Sequence, residues 1–271
     1  MNNYDALKCS GKKVIFMERL RVDNISKTFI ISKRQQKALE LPSREKTAIN
    51  DISFHIQSGE VFGLLGPNGA GKTTTMRIIA SLIKPDSGNV YLNDIDVVSN
   101  PGLIRSKLAF LTTDLKLDLK SDANSLYDFF SDLYHIPSEQ SRRKKEELFG
   151  IFGIDKFADT KIAKLSQGMR QKVSIALSVI HDPPFVIFDE PTNGLDVVAS
   201  RDVRDFIFRL KNEGKCVIIS THIFDLVEKL CDKAAMIIDG KLIVQGNLED
   251  IMQGRPLEEA FYDYYKENHK F

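Results

Sequence analysis

The segment Gly66-Pro-Asn-Gly-Ala-Gly-Lys-Thr-Thr74 constrains this chain more than any other. It fits G-x-x-x-x-G-K-[ST], with Gly66, Gly71, Lys72 and Thr73 in the fixed places. Glu60–Leu65, just before it, is short and apolar, as a buried strand is; Thr74–Leu82, just after, has helical spacing. Strand, glycine loop and helix, in that order, form the context in which such a loop holds phosphate. Glycines let backbone N–H groups converge on an anion without a Cβ clash, and a helix N-terminus adds its dipole. Gly66, Pro67, Asn68, Gly69, Ala70, Gly71, Lys72, Thr73 and Thr74 are therefore expected to cradle a nucleoside triphosphate. Lys72 should reach the β- and γ-phosphates, and Thr73 should ligate Mg²⁺. The bland alternative, a glycine-rich turn that binds nothing, leaves the lysine, the hydroxyl and both flanking elements unexplained.

Phe185-Val-Ile-Phe-Asp-Glu190 supplies a second half. An apolar run ending in two carboxylates suits a buried parallel strand with an acidic tip. Asp189 is placed to hold Mg²⁺ through water, and Glu190 to polarise an attacking water. Alone, such a run is as often an ordinary strand end; downstream of a phosphate loop, the functional reading is the stronger.

Leu165-Ser-Gln-Gly-Met169, followed by Arg170–Leu177 and then the acidic strand, resembles the signature region of ABC ATPases. Asn193-Gly-Leu-Asp196 looks like their D-loop, and Ser220-Thr-His222 like their switch histidine. The ordered set covers roughly residues 18–246. The resemblance implies an α/β fold: a P-loop NTPase with a RecA-like core, an antiparallel β layer and an α-helical subdomain. It implies residues 1–17 as an N-terminal extension, 18–246 as the cassette with the helical subdomain at about 112–181, and 247–271 as a short helical tail. It also implies a head-to-tail dimer of two ATPase subunits, expected to be identical. Two ATP molecules would lie between the phosphate loop of one subunit and Ser166, Gln167 and Gly168 of the other. His222 would join Glu190 in hydrolysis, Asp196 would couple the two sites, and Phe29 would stack on the base. Blander readings stand beside three of these: Ser166 as a helix N-cap, His222 as a surface loop residue, Phe29 as core packing.

Two departures from the family pattern stand out. Thr113, next to Asp114, lies where a glutamine that contacts Mg²⁺ and senses the membrane partner is usual. A polar insertion, Ser32 to Lys46, follows the Phe29 strand.

Composition narrows the partners. A net charge of +1 gives no electrostatic footprint for nucleic acid. Three cysteines without C-x-x-C spacing point to a reducing compartment, and five histidines show no metal-ligand spacing. No apolar run approaches the ~18–20 residues needed to span a bilayer, and Met1–Lys13 lacks a leader pattern. A soluble subunit is expected, attached to the cytoplasmic face of the cell membrane through an integral membrane permease. Overall the chain resembles the NatA-like ABC-2 exporters of sodium or drugs. The runner-up is a soluble ABC ATPase acting on ribosomes or DNA; a P-loop GTPase or kinase would leave the signature segment unexplained.

Residues 18–65 should form short strands of the antiparallel layer. Phe129, Phe130 and Tyr134 are each expected in the core or, failing that, in a docking groove; Arg142–Glu147 should be a solvated helix face. For the aromatic run Ala260–Tyr265, packing on the body and contact with a partner stay open.

Overall fold

The strand that delivers the phosphate loop, Val61–Leu65, sits inside a six-stranded sheet and is buried at all five residues. The computed structural model describes residues 19–38, 40, 42–112 and 116–268. In chain order the strands are β1 (Arg19–Ile30), β2 (Glu45–Gln57), β3 (Val61–Leu65), β4 (Ser87–Leu92), β5 (Ile95–Asp96), β6 (Leu108–Leu111), β7 (Phe185–Asp189), β8 (Cys216–Ser220), β9 (Lys233–Ile238) and β10 (Lys241–Asn247). The helices are α1 (Lys33–Ala38), α2 (Lys72–Ile79), α3 (Pro101–Lys107), α4 (Ala123–Leu133), α5 (Ser138–Phe152), α6 (Gln167–Ser178), α7 (Val197–Asn212), α8 (Phe224–Leu230), α9 (Leu248–Met252) and α10 (Leu257–Asn268).

One sheet has the order β2-β1-β4-β5 and is antiparallel. The other has the order β10-β9-β3-β8-β7-β6, parallel except for the β9–β10 hairpin. Residues 18–65 therefore do not form one layer: β3 leaves it for the parallel sheet. Its run lacks apolar–polar alternation and needs cover on both faces, which only the parallel sheet provides. β1 and β2 are also long, at 12 and 13 residues.

The two faces of the parallel sheet meet different cores. Phe62, Leu64, Ile187 and Ile218 pack with α2 (Met76, Ile78, Ile79) and the antiparallel sheet (Leu20, Val22, Ile52, Phe54). The rings of Phe54 and Phe62 stack with centroids 4.9 Å apart. Val61, Val186, Phe188 and Ile219 face the other way, onto α4, α5, α6 and α7. Alternation along each strand is thus hidden from a polarity plot, because both sides are apolar.

The helices past β6 start and stop where local chemistry permits. Asp122 caps α4 by accepting from Ser125 N at 2.9 Å, and Gly153, at φ +63°, ends α5. Helical phase buries Leu126 and Tyr127 of α4. Phe129, by contrast, is 60% exposed and is not core. Phe130 packs partly against the core, and Tyr134 stacks on His181 at 4.2 Å. On α5, Arg142, Arg143 and Glu146 face solvent as expected. Lys144 and Glu147 of the same run turn inward, pairing with Asp182 and Arg209. The insertion after β1 holds α1 and is closed by Ile31 N donating to Arg44 O at 2.8 Å.

Candidate nucleotide-binding site

Three chain segments converge at the carboxyl ends of β3, β7 and β8, where open parallel sheets hold ligands. At the first, Gly66 has φ +152°, and a Cβ there would lie 2.1 Å from the carbonyl oxygen of Ile237. Only glycine lets the loop pass so close to β9. Ala70 N donates to Pro67 O at 3.2 Å, and Gly240 N donates to Ala70 O at 3.0 Å, so the β9–β10 turn braces the loop. The Lys72 ammonium donates to the carbonyls of Gly66 at 2.7 Å and Pro67 at 3.1 Å. It is only 6% exposed. Burial pushes its pKa below the ordinary lysine value, opposed by the charges of Glu190 and Asp189. Asn68 and Gly69 are exposed at the loop tip.

The second segment is the tip of β7. Asp189 is 3% exposed, and both its oxygens are engaged: Thr73 Oγ1 donates to Oδ2 at 2.9 Å, and the Ser220 hydroxyl donates to Oδ1. Glu190 N donates to the Oγ of Ser220 at 3.1 Å. Glu190 itself has φ +51°, a left-handed conformation that costs a side-chain-bearing residue on the order of 1 kcal/mol. Its carboxylate Oε2 lies 3.0 Å from His222 Nδ1. A carboxylate only accepts, so Nδ1 carries the proton in this pair. The third segment, after β8, thus brings His222 to Glu190; the His222 side chain is 57% exposed and that of Glu190 13%.

The signature segment lies apart from these. Ser166 caps α6, its Oγ accepting from Met169 N at 3.2 Å, so the capping reading holds for its contacts within the chain. Ser166 and Gln167 are exposed. Among the described residues, no hydrogen bond joins 165–169 to the phosphate loop; their bonds stay within the α6 region. Gln167 lies instead against the D-loop-like segment: a Cβ on Gly194 would be 2.3 Å from Gln167 Nε2. Gly168 faces Leu195 and Ala199. Asp196 caps α7 by accepting from Ala199 N at 2.8 Å. Phe29 is 37% exposed on β1, with the Lys27 ammonium 5.7 Å from its ring centroid, so its ring is not in the core. Thr113 and Asp114 lie outside the described residues.

The family described as ABC transporter matches residues 49–193. The chain belongs to that family. It is 38% identical over 216 residues to the ABC transporter ATP-binding protein NatA of Bacillus subtilis, covering 79% of this chain and 88% of NatA. It is 31% identical over 208 residues to the Nod factor export ATP-binding protein I of Ralstonia nicotianae, covering 77% and 65%. The solved structure of an ATP-binding subunit of an ABC transporter superposes with a TM-score of 0.80 at 26% identity, over 91% of this chain and 99% of that one. A dimeric post-hydrolysis cassette, MJ0796 bound to ADP and Pi, gives 0.73 at 23% identity, over 84% and 98%, a likeness of fold. The chain is an ABC ATPase cassette: it binds ATP, and its likeness to NatA agrees with the NatA-like resemblance of its motifs. No helix among the described residues is long and apolar enough to cross a membrane.

The cassette's site includes side chains that the motifs did not single out for it. Ser220, fully buried, links Asp189 to the backbone of Glu190. A serine ending an apolar strand was the available signal. Gln171 Nε2 donates to Pro191 O at 3.1 Å, tying α6 to the residue after Glu190. Lys172 pairs with Asp202 at 2.6 Å, tying α6 to α7. Nothing local in the sequence marks either tie, since each joins residues distant in the chain.

Proposed function

We propose that this cassette is the ATP-hydrolysing subunit of an ABC exporter, working as a homodimer with an integral membrane permease at the cytoplasmic face of the membrane. The observation that carries the dimer is the division of the site. Phosphate loop, acidic strand tip and His222 converge, while Ser166 and Gln167 face solvent elsewhere. A facing copy, head to tail, would supply the missing signature to each ATP. The exposed Val197 (87%) and Val198 (71%), beside the D-loop-like segment, suit burial at such an interface. The likeness to a Nod factor export protein supports the direction of transport; sodium or a drug is the proposed cargo class.

The residues fit the chemistry. Thr73 and Asp189, 2.9 Å apart, offer hard oxygen donors suited to Mg²⁺. When bound, Mg²⁺ would neutralise phosphate charge and orient the γ-phosphoryl group. Loop amides and the Lys72 ammonium hold the β- and γ-phosphates of ATP, while Phe29 stacks on the base. Closure brings Ser166 and Gly168 of the facing copy to the γ-phosphate, with the N-terminus of α6 adding its dipole. Asp196 links the two interface halves. Glu190 polarises a water for in-line attack on the γ-phosphorus and takes its proton as ADP leaves. His222, held by Glu190, orients that water. Loss of the bridging phosphate reopens the dimer, and the opening and closing work the permease.

Glu190→Gln tests this reading. It should bind ATP normally, turn over at least about 100-fold more slowly and elute as a dimer with ATP and Mg²⁺ in gel filtration. A monomer under those conditions would refute the split site. Lys72→Ala should lose ATP binding.

A further inference from the structure

α10 packs on α8, the helix that begins two residues after His222. The rings of Phe224, first in α8, and Phe261 of α10 meet with centroids 5.1 Å apart, tilted by 52°. Phe261 stacks in turn on Tyr265 at 6.2 Å. Leu257 N donates to Glu228 Oε1 at 2.7 Å, fixing the start of α10 to the middle of α8. Val227, Leu248, Ile251 and Leu257 share an apolar cluster with Leu65 of β3 and Ala234 and Met236 of β9.

α8 needs such support. It has seven residues and no side-chain N-cap, too short to hold its place by helical propensity. Leu226 and Leu230 pin one side to the main core, and the tail pins the other. Between α8 and β8 runs the turn that carries His222, held by Ile223 N donating to Thr221 Oγ1 at 3.1 Å. A half-exposed imidazole gets little orientation from packing of its own. Its aim at Glu190 follows where the first turn of α8 sits, and Phe224 is in that turn.

We infer that Phe261 is a positioning residue for His222, acting through Phe224. The inference rests on the reading of His222 as a hydrolytic residue. Phe261 packs on the cluster that also holds Leu65, just before the phosphate loop, but the loop's own ties, the close approach of Gly66 to Ile237 and the Gly240–Ala70 hydrogen bond, do not involve α10. Removing the Phe261 ring should therefore misplace His222 while sparing ATP binding.

The experiment measures steady-state and single-turnover ATP hydrolysis of the full chain, with thermal unfolding of each variant. Phe261→Ala and the smaller perturbation Phe261→Leu should lower kcat by about tenfold, with KM for ATP within about twofold. Phe261→Tyr, which keeps the ring, should restore kcat. Tyr262→Ala, at the neighbouring position, which is 57% exposed, should match the wild type. In a His222→Ala background, Phe261→Leu should cost nothing more, because the residue it positions is gone. A folded Phe261→Leu with wild-type kcat overturns the inference, as does an equal loss in both backgrounds. If His222→Ala alone hydrolyses ATP at the wild-type rate, the reading of His222 fails instead.

Discussion

Glu190 and Lys72 each hold a state that an isolated residue would avoid. Glu190 takes φ +51° beside the strand tip, with its amide on Ser220 and its carboxylate on His222. Strain of this kind persists where neighbours over-determine a residue. Glu190→Gly should abolish turnover yet unfold no more easily than the wild type in urea, with a gain of up to about 1 kcal/mol. A clear loss of stability would mean that the carboxylate contacts outweigh the strain. Lys72 is lowered by burial in the free protein, against the pull of Glu190 and Asp189. Phosphates favour the ammonium, so bound ATP raises its pKa, and binding takes up a proton at pH values near or above the free-state pKa. ATP affinity should therefore be full below the free-state pKa and weaken as pH rises through it. Calorimetry in buffers of different ionisation enthalpy would detect the uptake; a pH-independent affinity across the alkaline range would contradict it.

At the scale of elements, α6 shows how a local rule and a distant role share one residue. Ser166 caps the helix within its own chain, and in the proposed dimer it also faces the γ-phosphate of the other. The two roles can be separated. Ser166→Asp keeps a good N-cap and suits the dipole, so thermal stability should stay within about 0.5 kcal/mol. Its charge should repel the γ-phosphate and abolish the ATP-driven dimer of the Glu190→Gln protein. Ser166→Ala should do the reverse in part, costing about 1 kcal/mol of stability. α5 is tied to the core through charge. Burial alone would raise Asp182, but the Lys215 hydrogen bond and charge, helped by Lys144, hold it below the ordinary aspartate range. A lowered carboxylate contributes stability that is full above about pH 4 and is lost as pH falls through the folded-state value. Asp182→Asn should thus cost under about 1 kcal/mol at neutral pH, since the pair is half-exposed, and the gap should close in acid.

For the whole molecule, the proposal is that one chain holds two halves belonging to different sites. Gln171, Lys172 and Asp202 join those halves inside the chain, because α6 meets both the segment after Glu190 and α7. The exposed Val198 gives a test at this scale. Val198→Asp should leave monomer unfolding within about 0.5 kcal/mol while preventing ATP-driven dimerisation in gel filtration. An unaffected dimer would move the interface elsewhere.

The phosphate loop, the acidic strand and the capping serine were legible because each is a continuous string whose chemistry depends on residues next to one another. Neighbourhood across the fold is another matter. Strand order sets Ser220 beside Asp189, helical phase turns Phe129 outward while burying Tyr127, and α10 comes to rest on α8. None of these follows from residue type, because burial and partnership depend on which surfaces the folded chain brings together. The sequence alone determined which groups are available for binding phosphate; only the tertiary structure decided which of them meet, since long-range packing has no signature in local order.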